Sequence, residues 1–236
     1  MIIDCIWEHN GNDSLLYAAD FVGAFTRGEN LDVAMAKMPQ EIAAYCRWKG
    51  DPIPSFMDIR IIQDCPSTLA IADADSDAIL PSETQSLTMD EYHALKDLAL
   101  RSAQDFLTLF QAIPNPQVAT KSPRDSFYGA VPRTAQTMYD HTKSVNAYYF
   151  AEIGVDADNE GTIFQCRTQG FAALESQPDF LSQGVLEGSY GESWSLRKVL
   201  RRFIWHDRIH AKAMYRLAKA AFPNAQIPDL FFFDNL

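Results

Sequence analysis

Residues 195–221 read SLRKVLRRFIWHDRIHAKAMYRLAKAA and carry the strongest local pattern in the 236-residue sequence. Apolar positions recur there at intervals of three and four, which predicts an amphipathic helix with one face turned to a core. The apolar face consists of Leu196, Val199, Phe203, His206, His210, Ala213 and Leu217. His206 and His210 are four residues apart, so their side chains are expected to lie about 6 Å apart and to point inward.

Three more helices are predicted upstream, at residues 88–114, 134–153 and 162–175. The first begins with Thr88 and Glu91, whose spacing is that of a capping box. In that motif the threonine oxygen accepts a hydrogen bond from an early backbone amide, and the glutamate reaches back to the start of the helix. Four helices of this length predict one helical bundle, which we expect to form a domain over residues 84–236.

A third histidine falls on an apolar face within the helix predicted at 134–153. That face consists of Thr134, Met138, His141, Val145 and Tyr148. Three inward imidazoles, His141, His206 and His210, predict a site for a divalent transition metal such as zinc, nickel, iron or manganese. Three protein ligands would leave one coordination position for water or substrate, whereas a structural site is normally closed by a fourth ligand.

Two alternatives to this metal site remain open from the residues. Each inward histidine could be an ordinary core residue with a hydrogen-bond partner. The segment 206–210, HDRIH, also imitates the H-E-x-x-H motif of zinc proteases, with Asp207 in place of the glutamate base. The imitation is weak because aspartate is shorter and no histidine follows residue 210. Asp207 is expected instead to be a solvated charge or a partner of Arg208 or Lys212.

The first part of the chain has a different pattern, with short strands and one helix. Strands are predicted at 2–7 and 15–19, joined by a turn over 9–13, followed by strands at 22–26 and 57–62. A helix is predicted at 31–48, with Asn30 as its cap. The overall expectation is an α+β protein with a small antiparallel sheet in a domain over 1–80. Residues 64–86, which include Asp73, Asp75 and Asp77, are expected to connect the two domains.

The predicted bundle resembles the DinB-like superfamily over residues 88–222. The segments AQTMYDH at 135–141 and LRKVLRRFIWHDRIH at 196–210 match its histidine on the second bundle helix and its H-x-x-x-H pair on the fourth. The resemblance implies a four-helix bundle that binds a divalent metal through His141, His206 and His210. It also implies transfer of a low-molecular-weight thiol, maleylpyruvate isomerase-like activity, or hydrolysis.

The first part of the chain resembles HicB-like antitoxins. The resemblance rests on YAADFVGAFTRGENL at 17–31, followed by Ala34 and by Glu41-Ile42. The proline usual in this motif is replaced by Ala19 or Asp20. The resemblance implies a small α/β domain that recognises a protein partner.

Composition narrows the classes of partner. The chain has 20 Lys+Arg against 31 Asp+Glu, a formal net charge of −11, which makes binding to nucleic acid unlikely. No run of residues has the length and apolarity of a membrane span, so we expect no membrane insertion and a cytoplasmic location.

Basic residues nevertheless concentrate in segment 195–221. They are Arg197, Lys198, Arg201, Arg202, Arg208, Lys212, Arg216 and Lys219. A solvated face that docks loosely against acidic surface is the ordinary interpretation of such a run. A sharper hypothesis is that Arg202 binds an anionic substrate beside the metal.

The leading functional prediction is a metal-dependent enzyme, a thiol transferase or hydrolase that uses an open three-histidine site. Its substrate would be a small-molecule thiol or an anion. The alternative is a non-catalytic, metal-stabilised interaction or regulatory protein, in which the HicB-like part binds a protein partner. A homodimer through an exposed helix is compatible with both. No residue stands out from the sequence as a general base.

Overall fold

The computed structural model describes residues 1–68, 78–126 and 129–234. They form a mixed α+β structure, which confirms the predicted class. The main sheet contains β1 (Ile2–Asn10), β2 (Asp13–Ala18), β3 (Phe25–Gly28) and β4 (Asp58–Pro66). The helices are α1 (Leu31–Lys49), α2 (Met89–Gln111), α3 (Ala135–Ala151), α4 (Ile163–Glu175) and α5 (Leu196–Ala221). Two short strand pairs join β5 (Asp125–Ser126) to β6 (Gly129–Ala130) and β7 (Leu186–Glu187) to β8 (Ser193–Trp194).

The main sheet is mixed, with strand order β3-β2-β1-β4. The predicted hairpin is confirmed, since β1 and β2 pair antiparallel up to Asn10 and Asp13. Gly11, in the two-residue turn, has a φ of +60°, which favours glycine. The prediction of a wholly antiparallel sheet is wrong, because β4 lies parallel to β1. Helix α1 carries the chain back between β3 and β4, so β4 runs in the direction of β3 and of β1.

The end of β4 differs from the prediction of a strand over 57–62. The strand continues to Pro66, so the first residues of the expected connecting segment belong to the sheet. Asp73, Asp75 and Asp77 lie outside the described residues. The next described element is a 3-10 turn at Pro81–Thr84, in which the backbone N–H of Leu80 donates to the Glu83 carboxylate over 2.8 Å.

The predicted helices are all present, with ends within three residues of those expected. Asn30 caps α1, since its side-chain oxygen accepts a hydrogen bond from Val33 N at 3.0 Å. The predicted capping box of α2 forms, with Thr88 N donating to Glu91 Oε2 at 2.8 Å and Glu91 N donating to Thr88 Oγ1 at 3.3 Å. Local capping residues therefore set where these helices begin.

The sheet is covered on both faces. Every residue of β2 from Ser14 to Ala18 is buried. Leu16 and Ala18 belong to the core cluster that includes residues of α1, whereas Leu15 and Tyr17 pack with Trp205 of α5. The sheet therefore lies between α1 and α5, and the large core cluster continues from it into the helices α2 to α5.

Helix α5 is the central helix of the molecule. It packs against α2, α3 and the 3-10 turn, and Trp205 contacts the sheet cluster. Seventeen of its 26 residues are buried. The prediction of a solvated basic face is therefore wrong for four of the eight basic residues, which are buried. These four are Lys198, Arg201, Arg202 and Arg208.

The acidic partners of the α5 cations come partly from the first part of the chain, as expected. The ion pairs that they form are buried inside the protein instead of exposed to solvent. Arg208 pairs with Glu41 of α1 over 2.6 Å, and both side chains are at most 1 % exposed. Arg201 pairs with Glu83 of the 3-10 turn. A buried charge requires such a partner, because removing it from water is costly.

The end of the described chain packs against α1 and α5. The rings of Trp48 and Phe231 have centroids 5.4 Å apart, and Phe231 and Phe233 are both buried. The Arg208 guanidinium lies 5.0 Å from the Trp48 ring centroid and 5.8 Å from that of Phe231. Among the described helices, none combines the length and apolarity needed to cross a membrane.

Candidate metal centre

The three predicted histidines converge between α3 and α5. His206 and His210 lie one turn apart on α5, and their ring centroids are 4.5 Å apart. His141, from α3, has its ring centroid 5.1 Å from that of His206 and 4.9 Å from that of His210. His206 is buried, and the other two are partly buried. The helical spacing therefore places two imidazoles on one face, and the packing of α3 supplies the third.

The distances between the ring nitrogens suit a shared ion. One nitrogen of each ring can be chosen so that the three lie within 4.8 Å of one another. Three nitrogens that ligate one tetrahedral zinc ion at about 2.0–2.1 Å lie about 3.4 Å from one another. Side-chain rotations that close the widest pair by up to about 1.5 Å would make all three nitrogens direct ligands.

The environment keeps His206 and His210 neutral, which is the form of imidazole that binds metals. Burial lowers the pKa of His206 well below its usual value, and repulsion from His210, His141, Arg202 and Arg167 adds to the effect. The pKa of His210 is lowered to about 3, first by burial and then by the charges of His141 and Arg27. Neither ring needs to lose a proton at neutral pH before it ligates a cation.

His206 also has a ring nitrogen without a hydrogen-bond partner. Its Nδ1 atom is buried, and no partner is found for it among the described residues. A buried polar nitrogen without a partner costs free energy, and most such groups in proteins are satisfied. A ligand in this region, including a metal ion, would remove that cost. The residues present therefore fit a transition metal.

The three rings line a cavity of about 980 Å³ that lies between the two parts of the chain. One wall comes from the first part of the chain and includes Arg27 and Lys37. A second wall, from α3 and α5, is largely apolar and aromatic. It includes Met138, Val145, Tyr148, Tyr149, Ile209 and Leu217. The volume is in the range of sites for small molecules.

A third wall comes from the segment that precedes α3, and it includes Lys121, Arg124 and Arg133. None of these residues, nor Arg27 and Lys37 in the first wall, was predicted as part of the site. Arg27 on β3 and Lys37 on α1 lie more than 100 residues before His141, and the packing of the sheet against α5 brings them to the cavity. Arg133 lies only eight residues before His141, but no motif marks it or the other two residues of this wall.

Arg202 lies beside the histidines, as the anion hypothesis requires. It lines the cavity, and its guanidinium is 5.1 Å from the Tyr149 ring centroid and 5.3 Å from that of Trp205. Tyr149 also contributes to the cavity wall. Binding of an anion by Arg202 stays a prediction.

Asp207 lies in the bundle core and does not line the cavity. Its carboxylate accepts two hydrogen bonds from Arg167, at 3.1 and 3.2 Å, and both side chains are fully buried. The expectation of a solvated charge or a partner of Arg208 or Lys212 is therefore wrong. The reason is that α5 is enclosed on the side where Asp207 points. A carboxylate bound in this way is not placed as the base of a protease site.

Comparison of the chain with protein-family models, with curated proteins and with solved structures finds no match. The resemblances to DinB-like and HicB-like proteins therefore stay predictions from short motifs.

Proposed function

We propose that this protein binds a divalent transition metal through His141, His206 and His210 and is a metal-dependent enzyme. The observation that carries the proposal is the convergence of three imidazoles, one with an unpaired buried nitrogen, on the wall of a cavity that can hold a small molecule. A purely structural metal site would not need such a cavity.

The chemistry follows from an incomplete set of protein ligands. A metal on three histidines would lower the pKa of a water molecule or of a substrate thiol and so provide a nucleophile at neutral pH. This suits the thiol transferase and hydrolase activities implied by the DinB-like resemblance. The protein's own contribution is to hold His206 and His210 neutral by burial and to enclose the substrate between aromatic and cationic walls.

The alternative is a metal-stabilised interaction protein that uses the HicB-like part to bind a partner. The burial of β2 on both faces supports the enzyme over this alternative, because much of the sheet is already covered by α1 and α5. Recovery of one stoichiometric protein partner in a pull-down, without turnover of any substrate, would favour the alternative.

The experiment compares the metal content and the activity of three purified proteins. Wild type, His206→Ala and His93→Ala are reconstituted with zinc, nickel, iron or manganese and analysed by mass spectrometry for bound metal. His93 is exposed on α2 and is the matched control. We expect about one equivalent in wild type and His93→Ala, and a large loss in His206→Ala. Thiol-transfer and ester substrates are then tested with and without a chelator. Less than a tenth of an equivalent of every metal in wild type would overturn the proposal.

A further inference from the structure

The cavity beside the histidines has a charge opposite to that of the whole chain. Eight Lys or Arg side chains line it, whereas Glu41 is the one carboxylate among its described lining residues. The chain as a whole carries a net charge of −11. Cations gathered in a concave site with low-dielectric walls raise the local concentration of anions. The charge distribution therefore distinguishes this cavity from the rest of the molecule.

Glu41 does not cancel this excess of positive charge. Its Oε1 atom accepts a hydrogen bond from Arg208 at 2.6 Å, and its Oε2 atom lies 3.6 Å from Lys212 Nζ. Arg208 is not one of the eight cations of the cavity. The single carboxylate is thus shared between Arg208 and Lys212, and it offsets at most one of the eight cavity cations.

Two arginines that face the cavity come from outside the four-helix bundle or from its margin. Arg27 is on β3, and it lines the cavity together with His210. Arg133 precedes α3, and its Nε atom is buried without a hydrogen-bond partner among the described residues. A buried donor of this kind is satisfied when an acceptor from a ligand reaches it.

The remaining wall limits the kind of anion. Val145, Tyr148 and Leu217 offer an apolar surface that a bare inorganic ion would not contact. An organic molecule would place its carbon skeleton against this wall and its charged groups against the arginines.

We propose that the cavity binds an organic anion with two negative charges or more, and that Arg27 and Arg133 are its anion-binding residues. The inference rests on the proposed function only in making this anion the substrate, because the binding itself does not require the metal. It assigns a role to the first part of the chain: β3 supplies part of the substrate specificity of a site whose metal ligands all lie in the bundle.

The test uses the full-length, metal-free protein and three probes: glutarate, phenyl phosphate and the neutral glutaramide. Binding is measured by isothermal titration calorimetry at low salt. We expect glutarate or phenyl phosphate to bind with a Kd of about 1 mM or below and glutaramide not to bind. The preferred anion tells whether the charged groups recognised are carboxylates or phosphates. Absence of binding by both anions would overturn the inference.

Three variants locate the binding. Arg27→Gln and Arg133→Gln are each expected to weaken binding of the preferred anion by about tenfold or more, since each removes a charged hydrogen bond. Arg47→Gln removes an exposed charge on α1 outside the cavity and should change the Kd by less than about twofold. Equal weakening by all three variants would show attraction to the surface in general and would contradict the inference. If one of the two cavity variants fails to fold, the Kd of the other still tests whether the anion binds in the cavity.

The two proposals fail separately. A chain that binds these anions but no metal would refute the proposed function and leave the anion site standing. A chain that binds metal through the histidines but neither anion would refute the anion site alone.

Discussion

Glu41 of α1 and Arg208 of α5 are 167 residues apart in sequence, and their side chains pair over 2.6 Å inside the protein. The Nε and Nη1 atoms of Arg208 have no hydrogen-bond partner among the described residues. The guanidinium therefore depends on Glu41 and on nearby aromatic rings, including those of Tyr45 and Trp48. This pair joins the helix that supports the sheet to the helix that carries two of the histidines.

Replacing Glu41 by Gln should destabilise the protein strongly. The change leaves the Arg208 charge buried without a carboxylate, which typically costs about 3–5 kcal/mol. Urea denaturation followed by circular dichroism measures the free energy of unfolding. Glu29→Gln is the control, because Glu29 is exposed and should change this free energy by less than about 0.5 kcal/mol. Similar stability of the two variants would contradict the role of the pair.

The Asp207→Asn variant separates the role of Asp207 in the core from a role as catalytic base. Loss of this carboxylate leaves Arg167 buried and unpaired, so we expect a loss of about 3–5 kcal/mol in the free energy of unfolding. The folded fraction should still bind metal, since Asp207 does not line the cavity. Asp97→Asn, on the exposed surface of α2, is the matched control. A variant of unchanged stability that loses only its activity would support the protease-like interpretation instead.

Metal binding should raise thermal stability through the histidines. A ligand at 100 times its Kd stabilises the native state by about 2.7 kcal/mol. Differential scanning calorimetry with saturating zinc should therefore show a higher Tm for wild type and for His93→Ala, and almost no change for His206→Ala or His141→Ala. A chelator should reverse the increase. An equal rise in all four proteins would point to binding elsewhere on the chain.

The metal-free protein should lose stability as the pH falls. The pKa of His210 is about 3 in the native state against a usual value of 6.5, so the unfolded chain binds a proton that the native chain excludes between these values. Acidification from pH 7 to pH 5 should lower the free energy of unfolding by up to about 2 kcal/mol through this residue. Urea denaturation at each pH measures the effect. The curve for His210→Gln should be flatter, and identical slopes would contradict the prediction.

Gly170 marks a close contact between α4 and α3. A Cβ atom at this position would lie 2.1 Å from Cε2 of Phe150, a fully buried ring. Gly170→Ala should therefore cost about 1–3 kcal/mol in the free energy of unfolding, because the core has to move. Gly184→Ala, where no atom lies within 4 Å of the added carbon, should change stability little. Chemical denaturation of both variants tests this contrast.

Local signals in the sequence identified the helices and the two α5 histidines of the candidate site. Helix capping and side-chain periodicity depend on residues within one or two helical turns, so the sequence alone can predict them. This is why the caps Asn30 and Thr88, and the shared face of His206 and His210, were predicted correctly. The direction of β4 was predicted wrongly, because it depends on how α1 crosses the sheet. Strand pairing of this kind is set by contacts distant in sequence.

The environment of α5 could not be predicted from its composition. Arg201 and Arg208 have the pattern of solvated charges, yet both are buried against Glu83 and Glu41. Charges around much of a helix predict that the helix is exposed to solvent, unless the acidic partners of those charges are known. Here Glu83 and Glu41 lie more than 100 residues before the arginines that they pair with. For the same reason Arg27 could not be assigned to the cavity from its position on β3.

The shared wall of the cavity has a thermodynamic consequence. Arg27 reaches it from the sheet and His141 from the bundle, so a molecule that fills the space touches both halves of the fold at once. Binding in the cavity and the stability of the contact between the two parts are therefore expected to be coupled. Linkage makes this coupling reciprocal. If a bound molecule stabilises the contact between the sheet and the helices by a given free energy, that contact stabilises binding of the molecule by the same amount.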